Sequence, residues 1–334
     1  MTNRERFLAA LNGEPADRLP CVEWAGWWDK TVNNWISQDP MCPKNQHALY
    51  EYFGLDMHHQ YWLQPRGPGC PRPAYHGAPL MEDEADFARI LPHLFPEEKL
   101  RELKRWLTNL KDRHDRGDIA IWYSLEGFFW FPRTLFGIEN HLYAFYDYPA
   151  LMHEMNRRLC EYNKQAVEII CDTLTPEFMT FAEDMSYNHG PMISRELYDE
   201  FMAPYYRELV PLVKQAGTKA LIDTDGDVEP LIPWFKEVGI EGVLPLERQA
   251  GVDVNRIRET YPEWIMVGGY DKTIMRLGEA AMRKEFERLL PAMRGGKYIP
   301  GVDHQTPPDV SLENYRIFVK LLKEYTARCM YDGA

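Results

Sequence analysis

Clustered acidic residues are the first feature of this 334-residue sequence that could do chemistry. Asp223, Asp225 and Asp227 stand in the run DTDGD, Glu183 and Asp184 in FAEDMS, and Glu247 closes VLPLE. Asp271 precedes Lys272, and Asp303 precedes His304. Carboxylates and an imidazole gathered at one place can move protons near neutral pH. They can also hold a divalent cation, and an oxygen-rich set with one nitrogen suits Mg²⁺, Mn²⁺ or Zn²⁺ better than a thiolate-seeking metal. His304, Asp225 and Glu183 are therefore the candidate catalytic residues, and Asp223, Asp225, Glu247 and His304 the candidate metal ligands. Each also has a plainer reading. Asp225 before Gly226 is ordinary turn chemistry, and Asp227 can cap a helix beginning at Val228. The set weighs more than any member, because many like charges around one opening cost free energy unless they bind a cation, share protons or face basic groups.

Aromatic residues accompany the acids. Glu23 is followed by Trp24, Trp27 and Trp28, Glu126 by Phe128, Phe129 and Trp130, and Trp62 lies in a short apolar run. Most such side chains pack cores or rims. Lining a mouth, they would form a flat apolar pocket fit for an aromatic ring or a methylated cation. Glu23, Trp24, Trp27, Trp28, Trp62, Glu126, Tyr187 and Asp271 are the candidate substrate-binding residues.

The elements that must position these residues alternate along the chain. Strand-like segments fall near 20–26, 57–64, 119–126, 178–184, 219–224, 241–247, 264–269 and 297–302, and helical periodicity covers 97–115, 150–173, 194–216, 228–237, 253–260, 279–293 and 311–328. Strand–helix alternation predicts parallel strands with right-handed crossovers. Eight strands in one chain of this length predict a single (β/α)8 TIM barrel over 1–334, with an N-terminal helix and its catalytic residues at the C-terminal ends of the strands. An open doubly wound sheet is the alternative, but no GxGxxG follows the first strand. The Pro- and Gly-rich stretch 65–95 is expected to be an insertion after the second strand, lying over the barrel mouth.

Charge and composition exclude other classes. The net charge is −13 with no basic run, which argues against a nucleic-acid partner. No stretch of about 18 apolar residues could span a bilayer. The first residues form an amphipathic helix with a Thr2-x-x-Glu5 capping box and lack the apolar region of a signal peptide. Six scattered cysteines without a CxxC pair suit reduced thiols, so a cytoplasmic location is expected. The oligomeric state stays open, a homodimer included.

Longer motifs carry a resemblance. NRERFLAALNGEPADRLP at the start, FGLD at 53–56, PEFMTFAEDMS at 176–186 and ISRELYDEFMAPYYRELV at 193–210 are similar to the uroporphyrinogen decarboxylase superfamily. DTDGD at 223–227, VGIEGVLPLE at 238–247, VGGYDK at 267–272 and GVDHQTPPDVSLENY at 301–315 extend the likeness along the chain. The resemblance implies the barrel and a catalytic mouth. It leaves the reaction open between tetrapyrrole decarboxylation and methyl transfer among a small substrate, a corrinoid protein and a thiol. The decarboxylases meet their polycarboxylate substrate with an arginine-bearing segment after the first strand, where this chain reads EWAGWWDK. The thiol-methylating branch binds zinc through a His-x-Cys pair and a later Cys, where this chain has Asp223-Thr224-Asp225 and Val302-Asp303-His304. What remains resembles the substrate-side methyltransferases of corrinoid-dependent O-demethylase systems. That likeness implies methyl transfer from a small methylated substrate, such as a methoxylated aromatic, to a corrinoid carried by a separate protein, with a divalent metal (Zn²⁺, Mg²⁺ or Mn²⁺) at the site. The alternatives are decarboxylation of a small carboxylic acid and a non-catalytic binding barrel.

Overall fold

Apolar side chains from Phe7 to Cys329 join one contiguous core, and around it the chain lays strand after helix. The computed structural model describes residues 1–329; positions 330–334 of the expected 1–334 domain lie outside the described residues. In chain order the strands are β1 (His58–Leu63), β2 (Ala120–Glu126), β3 (Phe178–Ala182), β4 (Ser186–Tyr187), β5 (Gly190–Pro191), β6 (Lys219–Asp223), β7 (Gly242–Leu244), β8 (Ile265–Tyr270) and β9 (Tyr298–Val302). Seven of them form one curled parallel sheet in the order β1-β2-β3-β6-β7-β8-β9, while β4 and β5 make a small antiparallel ribbon. Every residue of β2 and β3 is buried, as expected of parallel strands covered on both faces.

The expected helices form close to their predicted spans, for example Glu97–Asp115, Pro149–Thr173 and Leu312–Ala327. At the start, Thr2 and Glu5 exchange both bonds of a capping box. The span 194–216 is two helices, Arg195–Phe201 and Ala203–Gln215, with Pro204 opening the second. Strand β7 stops at Leu244, before Pro245, which has no N–H for the ladder.

The expected first strand, 20–26, is not part of the sheet. Its ladder partners are taken by side chains. The Cys21 N–H donates to Asp56 Oδ2 at 2.8 Å, and the Glu23 carbonyl accepts from Tyr50 Oη at 2.6 Å. The Val302 carbonyl of β9 accepts from the Trp24 indole at 2.8 Å. Pro20 removes one donor more. Backbone contact reduces to the Asp56 N–H on the Cys21 carbonyl at 2.9 Å and a lone bridge between Trp27 and Thr306.

Residues 65–95 also differ from expectation. The segment closes on itself, with Gly67 N–H to His93 O at 2.8 Å and Phe95 N–H to Pro65 O at 2.7 Å, and contains the helix Glu84–Ile90. It packs beside the mouth against residues 130–138, where Leu80 N–H reaches Leu135 O at 2.7 Å. None of its residues lines the central cavity.

Candidate active site

Three adjacent strands set the floor of the site. Side chains on the inner face form a polar row, with Gln60 Nε2 on Ser124 Oγ at 2.9 Å and Ser124 Oγ against Thr180 Oγ1 at 2.8 Å. Beside it Trp122 stacks on Phe178 with ring centroids 4.9 Å apart. The register places Glu126 level with Ala182, and Ala182 level with Asp223, at the C-terminal ends of β2, β3 and β6. Above this row opens a cavity of about 260 Å³. Trp24, Trp62, Trp122 and Trp130 line it, together with Gln60, Glu183, Asp184, Asp223, Asp225, His304 and Gln305. No arginine or lysine does.

The acids crowd one side. Asp184 follows β3 with a left-handed backbone, φ 45°, a conformation aspartate tolerates better than most residues. Its carboxylate accepts the Asp225 N–H at 3.4 Å. Gly226 turns the DTDGD loop at φ +82°, and a Cβ there would stand 2.6 Å from the Tyr187 backbone, so only glycine fits. Burial, with the Asp184 and Glu247 charges close by, pushes Asp225 up to about 7. Burial and the Asp184 and Asp225 charges likewise raise Asp223 well above the usual carboxylate range, and burial raises Asp184.

His304 completes this side, with Nε2 3.8 Å from Asp225 Oδ1. Its Nδ1 accepts the N–H of Gln305 at 2.8 Å, so the neutral ring carries its proton on Nε2, facing Asp225. Burial, helped by nearby Lys272, lowers the imidazole pKa. The ring meets Trp24 edge-on at 6.3 Å.

The basic groups nearby are engaged elsewhere. Arg133 donates to the Asp184 carbonyl at 2.9 Å and lies 5.3 Å from the Trp130 ring centre. Lys272 Nζ lies 3.6 Å from Asp303. Asp303, pushed up to about 6 by burial, also accepts the N–H groups of Arg248 and Lys272. It thereby ties together the loops that follow β7, β8 and β9.

Glu183 reaches the cavity edge with both oxygens occupied. They accept the N–H groups of Phe128 at 2.7 Å, Phe129 at 2.7 Å and Trp130 at 3.0 Å, and Tyr206 Oη also donates to one of them. A carboxyl in that position satisfies the donors at the start of the helix Trp130–Phe136. Burial raises it to about 8 against the pull of those three N–H groups.

The remaining candidates fall outside the cavity lining. Glu23 is buried beside it, with one oxygen bonded to Tyr315 Oη at 2.9 Å and the other without a partner; burial lifts it to about 8. Glu126 is buried on Arg66 at 3.0 Å and lifted by burial to about 7. Glu247 holds the Gly226 N–H at 2.9 Å. Asp271 caps the turn at Thr273 and bonds Gln249. Trp27 sits in an aromatic cluster with Trp35, Tyr50 and Tyr315, while Trp28 and Tyr187 are exposed. Gln60 and Gln305 line the cavity without having been singled out in the sequence. Gln60 lies two residues from Trp62 on one strand, and that period could have found it.

The expected metal set does not assemble. Among the described residues, Asp223, Asp225, Glu247 and His304 do not bring three donor atoms within 4.8 Å of one another. The group that does, Cys160, Glu161 and Glu208, lies on helices 149–173 and 203–215, and there Glu208 is already paired with Arg157 and Lys164. No helix among the described residues is long and apolar enough to cross a membrane.

Comparison with known proteins gives three findings. In fold, the chain is similar to a methyltransferase from Methanosarcina mazei, with a TM-score of 0.64 at 17% identity, covering 97% of this chain and 99% of that one. In sequence it is similar to a uroporphyrinogen decarboxylase from Hydrogenobaculum sp. (strain Y04AAS1), 23% identical over 186 residues. That match covers 53% of this chain and only 48% of the relative. The family model described as uroporphyrinogen decarboxylase (URO-D) matches residues 75–325, most of the chain and all the strand ends of the cavity except those before β2. The chain belongs to the uroporphyrinogen decarboxylase family.

Proposed function

We propose that this chain is a methyltransferase that moves a methyl group from a small methylated substrate to a corrinoid carried by a separate protein. One observation carries the reading: the cavity at the strand ends is small, walled by indole rings and acidic on one side, with no arginine or lysine in its lining. A tetrapyrrole with many carboxylates would need cations there. A small apolar body bearing a methyl group needs what the cavity offers.

The residues divide the work. Trp24, Trp62, Trp122 and Trp130 hold the body of the substrate and exclude water. Trp62, 40% exposed, stands at the rim, where the methyl carbon must be presented in line to an incoming nucleophile. A reduced corrinoid supplies that nucleophile. Asp225 and His304 Nε2 face the atom that the methyl group leaves and control its charge and protonation. Glu183 is a positioning residue, fixing the turn that carries Trp130. A methoxylated aromatic satisfies this arrangement in shape. We take residues 20–26 as the eighth stave of the barrel, held mainly by side-chain bonds instead of a ladder.

The test is a screen of methylated amines, thioethers and methoxyarenes as methyl donors to reduced cobalamin. Methyl transfer from one of them supports the reading. Release of CO₂ from a small carboxylic acid without methyl transfer would point to decarboxylation, and a filled cavity without turnover to a binding protein.

A further inference from the structure

The composition of the cavity narrows the substrate class. Four tryptophans, Trp24, Trp62, Trp122 and Trp130, share the lining with Asp223 and Asp225. The face of an aromatic ring attracts a cation, and tryptophan does so most strongly. Among the described residues the Asp223 carboxyl makes no hydrogen bond or ion pair, and the Asp225 carboxyl pairs only with His304, at 3.8 Å. The nearest basic side chains are turned away, Arg133 to a backbone carbonyl and Lys272 to Asp303. The Arg133 and Lys272 charges pull on Asp184 and Asp225 from a distance, yet burial and the neighbouring acids outweigh them and leave the charged carboxylates costly. A cation in the cavity would remove that cost and meet the rings at the same time.

We infer that the cavity binds a methylated ammonium ion, a quaternary amine of choline or tetramethylammonium size. This rests on the methyl-transfer reading only in taking the bound ion as the methyl donor. The departing group favours the same class. A phenyl ether releases a phenolate, an anion that would sit among carboxylates and beside an imidazole whose pKa is lowered by burial. A quaternary ammonium ion releases a neutral tertiary amine. The C–N bond breaks with its electron pair left on nitrogen, and the pair of the cobalt(I) corrinoid forms the new bond to carbon. No proton is transferred.

Equilibrium binding to the full chain tests the inference, read by tryptophan fluorescence and calorimetry. Choline and tetramethylammonium are compared with 3,3-dimethylbutan-1-ol, which has the shape of choline without its charge, and with anisole. Choline should bind at least about tenfold more tightly than the neutral alcohol, the scale of one desolvated cation–π contact. Asp225→Asn should weaken choline by about tenfold and leave the alcohol unchanged, while Trp62→Leu, at the exposed rim, should weaken choline by a few-fold. Equal affinity for choline and the alcohol, preference for anisole, or no binding of either cation overturns the inference. Methyl transfer to reduced cobalamin is measured separately. Cation binding without transfer supports this inference and removes the methyl-transfer reading, whereas transfer from anisole with no affinity for cations does the reverse.

Discussion

Glu183→Gln tests whether a buried carboxyl builds the site instead of reacting in it. One Glu183 oxygen accepts the N–H groups of Phe129 and Trp130, and the other accepts the Phe128 N–H and the Tyr206 hydroxyl. Glutamine can keep its oxygen on the first pair and turn its NH₂ toward Tyr206, whose hydroxyl can reverse and accept. The Phe128 N–H then faces another donor, and flipping the amide would satisfy it only by leaving the Phe129 and Trp130 N–H groups without an acceptor. A buried donor left unsatisfied costs about 1–3 kcal/mol. That is a sizeable part of the roughly 5–15 kcal/mol by which a folded chain exceeds its unfolded state. Gly127→Ala should act at the same place, because a Cβ there would lie 2.1 Å from the Glu183 carboxyl carbon. The double variant should therefore lose less than the two single losses added. The assay is urea unfolding followed by circular dichroism, where the midpoint should fall with an unchanged slope. A Glu183→Gln protein within about 0.5 kcal/mol of the parent, the range of a neutral surface change, would refute the positioning role.

Other outcomes follow from burial and backbone geometry. Burial holds Glu126 at about 7 and Glu23 at about 8 in the folded chain, above the ordinary 4.5. Raised folded values mean the native state binds more protons, so this stability is full below about 4.5 and lost as pH rises through 7 to 8. Urea midpoints should fall between about pH 5 and pH 8.5, and Glu126→Gln should remove up to about 3 kcal/mol of that fall; a midpoint that rises over the interval contradicts it. Gly226→Ala should destabilise the chain by about 1–3 kcal/mol, since the loop needs a positive φ and has no room for a Cβ. An unchanged thermal midpoint would show that the DTDGD loop tolerates another conformation.

The sequence made the sheet legible because parallel strands buried on both faces read as short apolar runs between periodic helices. β2 and β3 are cases in point, with every position buried. The segment 20–26 reads the same way, yet its backbone bonds go to Asp56 and Tyr50 while its own Trp24 indole takes the Val302 carbonyl, and no local pattern encodes that substitution. Acids at strand ends were visible, and Asp223, Asp225 and His304 do meet at one cavity. Which acids face the cavity was not visible. Glu126 ends its strand just as Asp223 does, and Asp303 directly follows β9, but Arg66 and Lys272, distant in sequence, turn them into loop anchors. The role of Glu183 was hidden for a similar reason, since its three backbone donors come from a turn more than 50 residues earlier. Trp122 and Trp130 belonged to a visible aromatic cluster, but only the strand register shows which rings line the cavity and which, like Trp27, fill the core.

The central claim is that a methyl group leaves its donor between the tryptophan walls and the Asp225–His304 pair. Single-turnover transfer from a methylated donor to reduced cobalamin, with the parent chain and with Asp225→Ala and His304→Ala, measures it directly. The parent should convert the cobalamin to its methylated form. Each variant should remain folded by circular dichroism, because strand-end residues carry little of the core, and should be slower by about 10²-fold or more, as when general acid–base or charge control is lost. Variants that stay folded and within a few-fold of the parent would contradict the site, and a parent chain that transfers no methyl group from any methylated amine, thioether or methoxyarene would contradict the function.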